Sequence, residues 1–493
     1  MIDGVTLTEL VGPEFAEGVG GELRLTGLCL DSRLVRPGDA FIALRGARAD
    51  GREHAAQAVA NGAVAVLAET PAPRTWKQRA PWVEIPRLAQ RLEQLAAKCY
   101  GHPDRHLRTV AVTGTNGKSS CVHFLAQAAP RCLHTPSAVI STLGFGPLEE
   151  LQPASHTTPD LLTLYRSLRD QAQRGIRLVA METSSHALHQ GRTGGLAFDV
   201  AAFTNISHDH LDYHGSFEEY LRAKASLFTH HRVGCAVINV NDDNGARLAM
   251  RLESRMPVLR TGVGRRTQAD IRGRVIACEA DGMRLWLDTP WGRGEVMTPL
   301  MGRFNADNLL VVTAALAALG APFSEILAAL TKLTPVPGRM QRITADGARP
   351  AVVVDYAHSP DALRQALRAL REHSAGRVWC VFGCGGERDR AKRPLMGAIA
   401  EADADRVVVT SDNPRGEPPM QIMREIRGGM RQAGAAVVEA DRAAAIRLAI
   451  ASAEAGDTVL IAGKGHEDYQ LVGDERRPFD DARYALEALE AVA

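Results

Sequence analysis

No stretch of this 493-residue chain is apolar over the roughly 18–20 residues that a helix needs to cross a bilayer. The first residues, Met1-Ile-Asp-Gly-Val5, lack the basic segment and apolar core of a secretory signal. An excess of charge of one sign is missing too: 58 Lys and Arg face 57 Asp and Glu, for a net charge of +1. Composition thus gives no basis for a global attraction to nucleic acid. The eight cysteines are scattered, and Cys380 and Cys384, the closest pair, have no second pair to complete a zinc pattern. Repeats and low-complexity tracts are absent. The expectation is a cytoplasmic protein with no membrane span and no nucleic-acid partner, its thiols reduced and packed as small core residues.

A chain of this length exceeds what one hydrophobic core holds, and three domains are expected. Residues 1–100 read as a small α/β unit, with strands at Ala40–Leu44 and Ala63–Leu67 around a helical stretch from His54 to Asn61. Tyr100-Gly-His-Pro103 interrupts the next helix, residues 87–99, and marks a boundary. Residues 101–336 alternate buried-type strands (Thr109–Thr113, Leu178–Met181, Ala201–Thr204, Ala236–Asn239) with helices, which predicts a mainly parallel sheet covered on both faces. Residues 305–332 read as two helices rich in Ala and Leu. Thr334-Pro-Val-Pro-Gly338 forms a second boundary. In residues 337–493 the alternation restarts, with strands at Val352–Asp355, Val378–Phe382, Val407–Thr410 and Val459–Ala462. Ser359 and Pro360 open a helix there as N-cap and first helical residue. The fold class is α/β throughout, and in such sheets ligands bind at the carboxyl ends of the strands.

The chemistry centres on Val110-Ala-Val-Thr-Gly-Thr-Asn-Gly-Lys-Ser-Ser120. An apolar strand runs into a Gly-rich loop and then a helix, the build of a nucleoside triphosphate cradle. Main-chain N–H groups of Gly114, Thr115, Asn116 and Gly117 suit phosphate oxygens; Lys118 suits the terminal phosphates, and Ser119, with Ser120 beside it, suits Mg2+. The usual loop has a glycine five residues before its last one, whereas this chain has Val112. Glu182 directly follows another apolar strand, well placed to bind Mg2+ itself or through water. Asn205-Ile-Ser-His-Asp-His-Leu-Asp-Tyr-His214 is dense in metal-binding types. It reads as a second divalent-ion and phosphate site, as a zinc site, or as a polar loop. By pattern Lys224 is a solvated lysine on an amphipathic helix. In the C-terminal segment, Arg388 and Arg415 lie in loops after strands, where two forked guanidiniums suit a carboxylate. Glu467, in Gly463-Lys-Gly-His-Glu467, suits an ammonium. Together they suggest an amino-acid pocket, against the alternative of ordinary surface ion pairs.

In this order the motifs resemble the Mur ligase family of cell-wall synthesis. The resemblance rests on Asp31-Ser-Arg33, Thr113–Ser119, Thr157-Thr158-Pro159, Glu182–His186, His208–His214, Ala223-Lys-Ala225, Gly302–Asn308, Gly338-Arg339, Asp355–His358, Asp412-Asn-Pro-Arg415 and Gly463–Glu467, and spans essentially the whole chain. It implies an N-terminal UDP-substrate domain, a central ATPase domain and a C-terminal Rossmann-like domain. It implies ATP-dependent addition of meso-2,6-diaminopimelate to UDP-N-acetylmuramoyl-L-alanyl-D-glutamate through an acyl phosphate, by a monomer. Carried over residue by residue, it assigns catalysis to Lys118, Glu182, His210 and Lys224, and the metal to Ser119, Glu182, His210 and Lys224, the lysine N-carbamoylated. It adds Asn305, Arg339 and Asp355 to the ATP site. Leu30, Ser32, Ala47, Arg48, Ala49, His156, Thr157, Thr158, Ser184, Gln190 and Arg192 fall on the UDP-substrate, with His156 standing where relatives often carry Asn. Arg388, Asp412, Asn413, Pro414, Arg415, Gly463 and Glu467 fall on diaminopimelate, with Arg415 on its distal carboxylate. Lysine-adding ligases, folylpolyglutamate synthase and a non-catalytic nucleotide switch are the alternatives.

Overall fold

The computed structural model describes residues 4–18, 20–46, 50–77, 79–154, 156–264, 268–344 and 350–492. The predicted substrate residues Ala47, Arg48 and Ala49 lie outside these. Its chain divides into two compact units, Met1–Ile238 with Asp242–Leu259, and Asn239–Asn241 with Arg260–Ala493. Among the described residues no helix is long and apolar enough to cross a membrane.

The first unit opens with a parallel four-stranded sheet, ordered Gly27–Cys29, Asp39–Ala43, Ala65–Ala68, Trp82–Glu84. Its larger sheet has Arg108–Thr113 at the centre, between Leu178–Glu182 and Ala197–Phe203, both parallel to it. Ser137–Ser141 extends the sheet beyond Leu178–Glu182. These strands are near-continuous apolar runs because helices cover both faces, as in parallel sheets generally. Val112 is one such strand residue: it is fully buried and lies opposite Glu182 on one side and Ala202 on the other. The Gly-rich loop therefore begins two residues later, and no glycine is needed at Val112.

The second unit departs from strict alternation. Ile271–Glu279, Gly282–Thr289 and Gly292–Thr298 form an antiparallel meander. The helices Phe304–Ala318 and Phe323–Leu330 lie so close on it that a Cβ at Gly294 would fall 2.5 Å from Leu327 Cδ1. The last sheet has the order Gln341–Ile343, Ala351–Asp355, Thr458–Ala462, Val378–Phe382, Arg406–Val409, Val437–Val438, parallel except for its first strand. Apolar cores fill both faces, so the polar loops emerge at the carboxyl ends of its strands. Ser359 caps the helix Pro360–His373 by accepting from Ala362 N, as the Ser-Pro pair predicts.

Candidate active-site groups in each unit

In the first unit the loop after Arg108–Thr113 turns on Gly114 and Gly117. A Cβ on Gly114 would sit 1.9 Å from Thr204 Oγ1. Gly117 is left-handed (φ 84°) and starts the 15-residue helix Lys118–Cys132. The loop is pinned from behind. Thr115 N donates to Asn205 O, Asn116 N to Asn205 Oδ1, and Thr204 Oγ1 to Asn116 O. Ser119 and Ser120 are buried at the helix start. Ser119 Oγ donates to Glu182 Oε1 at 2.8 Å.

Two lysines converge on one carbonyl. Lys118 Nζ donates to Gly114 O at 2.9 Å and to Thr115 O at 2.8 Å, and Lys224 Nζ donates to Gly114 O at 2.7 Å. Lys224 is only 1% exposed, which corrects the surface reading from helical pattern. The helix Phe217–Thr229 turns this side chain inward, with Nζ 4.5 Å from the Tyr220 ring centroid. Burial, then the neighbouring Lys118, push its amine well below the ordinary lysine range.

Glu182 is buried among hydroxyls. Thr142 N donates to Oε1 at 2.9 Å and Thr142 Oγ1 to Oε2 at 3.4 Å. The same hydroxyl oxygen lies 3.0 Å from Thr157 Oγ1, where the Thr157 hydroxyl can serve as donor, and Thr158 Oγ1 donates to Glu182 O. Ser184 caps a short helix, and its N–H donates to Thr158 Oγ1. Arg192 reaches Thr158 O and Gln190 Oε1, and Gln190 reaches Tyr213 OH. Thr157, Thr158, Ser184, Gln190 and Arg192 thus form one connected surface beside Glu182, with His156 exposed next to it. Ser32 donates to Gln57 Oε1, and Leu30 is half-buried. Thr142 lies in residues 129–155, where sequence motifs are silent. The available signal was its place just beyond the apolar strand Ser137–Ser141.

His210 has a left-handed backbone (φ 52°) and a half-exposed ring 4.8 Å from that of His186. His186 is pushed down to about 4 by burial, then by His210 and His214. His214 Nε2 pairs with Ser185 Oγ. Among the described residues no group of three or more His, Cys, Asp or Glu side chains could hold a metal ion. Neither the zinc nor the second-ion reading of His208–His214 as a metal cluster of its own is supported. The Tyr213 and His214 rings meet each other edge-on and pack tilted or edge-on against His186 instead.

In the second unit, Asp355 ends its strand and accepts from Met340 N at 2.7 Å, with burial raising its carboxyl despite Arg339. Arg339 lies over the Tyr356 ring, 4.5 Å from its centroid. Asn305 spends its amide inside its own helix, donating to Met301 O and accepting from Asn308 Nδ2.

The loops carrying Arg388 and Arg415 meet at Gly383–Gly386. A Cβ on Gly385 would lie 3.0 Å from Arg415 Nη1 and 3.6 Å from Arg388 Cγ, so both guanidinium stems flank one glycine. Arg388 is exposed. Arg415 is left-handed (φ 50°), bonded through its main chain to Leu471 and Gly473, and donates from Nη1 to Gly386 O at 2.8 Å. A guanidinium carries five N–H donors, so its fork still suits a carboxylate. Asp412, Asn413 and Pro414 are buried beneath it, with Asp412 Oδ2 close against Gly463. Glu467 is already held at one oxygen, for its Oε2 accepts from Asn413 Nδ2 at 2.9 Å and from Lys464 Nζ at 3.3 Å. Sequence reading also passed over Arg393. It is fully buried and ties Glu417, Glu425 and Gly385 O together, clamping the Arg388 and Arg415 loops.

Comparison with known proteins follows these groups. Family profiles match in order: "Mur ligase family, catalytic domain" on residues 24–100, "Mur ligase middle domain" on 112–316, and "Mur ligase, glutamate ligase domain" on 338–465. The UDP-N-acetylmuramoyl-L-alanyl-D-glutamate--2,6-diaminopimelate ligase of Xylella fastidiosa (strain Temecula1 / ATCC 700964) is 48% identical over 469 residues, 95% of this chain and 94% of the relative. A solved structure of a ligase bearing that same name is 36% identical and covers 99% of both chains, with a TM-score of 0.71. The MurF ligase of Thermotoga maritima in complex with ADP shares the fold alone, at 18% identity, 94% and 97% coverage and a TM-score of 0.65. With relatives this similar over almost the full length of both chains, and with three family segments in order along it, the chain belongs to the Mur ligase family.

Proposed function

We propose that this chain is an ATP-dependent acid–amino-acid ligase of peptidoglycan synthesis. It adds meso-2,6-diaminopimelate to the D-glutamate of UDP-N-acetylmuramoyl-L-alanyl-D-glutamate. One observation carries this reading: two lysine amines on the single carbonyl of Gly114, beside a Ser119–Glu182 pair, at the start of a helix. Two lysine amines sharing one carbonyl at a helix start bring N–H donors together, and such a site suits an anion such as a polyphosphate.

Lys118 exchanges its loop carbonyls for ATP phosphate oxygens. The Ser119 hydroxyl, the Glu182 carboxylate and His210 suit a divalent cation. Lys224 suits it only after conversion to a carbamate, in which the amine nitrogen bonds the carbon of carbon dioxide and releases a proton to water, a step favoured by burial lowering the amine below the ordinary lysine range. Bound Mg2+ supplies neutralisation of phosphate charge. The free D-glutamate carboxylate attacks the γ-phosphorus, giving an acyl phosphate and ADP. The diaminopimelate amine attacks that carbonyl, and phosphate leaves. The protein positions the groups and stabilises charge, as is general for phosphoryl transfer. Thr157, Thr158, Ser184, Gln190 and Arg192, with Leu30, Ser32 and His156, receive the UDP-substrate. Arg388 and Arg415 take the distal carboxylate, and the Glu467 carboxylate, held by Asn413, takes the ammonium beside it. The N-terminal domain binds the UDP-substrate, the central domain binds ATP and the C-terminal domain binds the amino acid. The setting is the cytoplasm, and a monomer suffices because every named group lies in one chain.

The deciding experiment is ATP turnover with the UDP-dipeptide and either meso-diaminopimelate or lysine. Product formation that needs both the UDP-dipeptide and diaminopimelate supports the reading. Equal use of lysine overturns the amino-acid assignment, and turnover independent of both substrates overturns the ligase.

A further inference from the structure

Lys464 is the one lysine of the amino-acid loops that sits wholly inside the protein, with none of its side chain exposed. Its Nζ donates to Asn413 Oδ1 at 3.1 Å and to Glu467 Oε2 at 3.3 Å, and lies 5.3 Å from the Tyr469 ring centroid. The acceptor atoms decide how the pocket faces outward. Asn413 Oδ1 also accepts from Leu471 N at 3.0 Å, so two donors fix that end of the amide as oxygen. The NH2 end is thereby turned to Glu467 Oε2, 2.9 Å away. Glu467 keeps about a fifth of its side chain exposed (21%) while its inner oxygen is held twice. Lys464 is the inner end of a short chain whose outer end is a carboxylate facing the solvent side of the loops.

We propose that Lys464 is a positioning residue for amino-acid recognition, holding Asn413 and, with it, Glu467 in the orientation in which the Glu467 carboxylate receives the substrate ammonium. The inference rests on the assignment of these loops to the amino acid. A buried ammonium is well suited to the task. It has three donors and no acceptor, so it cannot swap roles as a neutral amide would. It also places a positive charge beside the inner oxygen of a partly buried carboxylate. Lys464 does not touch the substrate in this reading, and acts through Asn413 and Glu467.

The test is steady-state kinetics of Lys464→Met, with each of the three substrates varied in turn and thermal unfolding measured in parallel. The expected result is a KM for meso-diaminopimelate raised about tenfold or more, the size of one lost charge-assisted hydrogen bond. The KM values for ATP and the UDP-dipeptide stay within about twofold, the ordinary spread for a site with no shared contact. Lys464→Gln is made alongside, because it keeps a donor and removes the charge. It stands in if the Met variant does not fold, and it should show the same selective rise. A folded variant with an unchanged KM for diaminopimelate overturns the inference. So does a uniform loss across all three substrates, or failure of both variants to fold, since either assigns Lys464 to stability alone. Arg415→Ala in the same assay separates the two levels: if it too leaves that KM unchanged, the loops do not bind the amino acid at all.

Discussion

The Gly-rich loop of the first unit and the loops of the second illustrate two ways of building an anion site. The first is main chain made contiguous: one strand, one turn and one helix start carry nearly everything, and Asn205 and Thr204 brace it from behind. The second is side chain made convergent. Its loops follow Val378–Phe382, Arg406–Val409 and Thr458–Ala462, and are locked by Arg393, Lys464 and the main-chain bonds of Arg415. A main-chain cradle takes any polyphosphate, because the N–H groups at its helix start carry no side-chain identity, although those of Thr115 and Asn116 are already held by Asn205. A side-chain cradle selects, because it leaves specific groups unsatisfied with the wrong ligand. Under the proposed function, the energy of the reaction belongs to the first site and the choice of amino acid to the second.

The sharpest way to break that division is Lys224→Ala. It should lower kcat about 10²–10³-fold, the usual cost of removing one charge-stabilising group, and short carboxylic acids should partly restore activity. A fully active alanine variant would remove Lys224 from the chemistry. Arg415→Ala should raise the KM for diaminopimelate about a hundredfold, as expected for losing a bidentate carboxylate partner, and leave UDP-substrate affinity nearly untouched. Equal losses for both substrates would erase the contrast between the sites. Thr142→Val keeps the shape but removes the hydroxyl that links Glu182 and Thr157. A drop in kcat of about fivefold, one neutral hydrogen bond, is expected, and no change would detach Thr142 from the site.

The smallest effect is one of pH. His186 in the first unit and His466 in the second are both pushed down to about 4, burial being the largest cause in each. An unfolded chain binds these protons at higher pH than the folded one, so each histidine costs stability as pH falls from about 6.5 towards 4. Urea unfolding from pH 7 to pH 4 should show a shallower loss in His186→Gln than in the parent. A slope that does not change would place the cause elsewhere.

Much of this was written in local patterns. Strand positions, the Ser359–Pro360 helix start and the phosphate loop depend on neighbours within a few residues, and sequence shows those neighbours directly. Lys224 was misread for the opposite reason. Its helix looks amphipathic with a surface lysine, and only packing against the loop carrying Gly114 buries it. Thr142 carries no motif, and its role exists only because Ser137–Ser141 lies beside Leu178–Glu182 in the parallel sheet. The antiparallel meander at 271–298 escaped the alternation rule, since its strands are only half-buried and lack continuous apolar runs.

The sequence by itself determined which chemistry is available: a strand–glycine–lysine–serine loop, carboxylates at strand ends, and arginines after strands, each readable because it rests on short-range backbone geometry. The tertiary structure alone decided which of these groups meet. It brought Lys118 and Lys224 to one carbonyl, enclosed Glu182 in hydroxyls from three segments, and shut Lys464 and Arg393 away from water. Those outcomes depend on contacts across up to a hundred or so residues of chain (Gly114 to Lys224 spans 110), where burial and charge, rather than spacing, set the result.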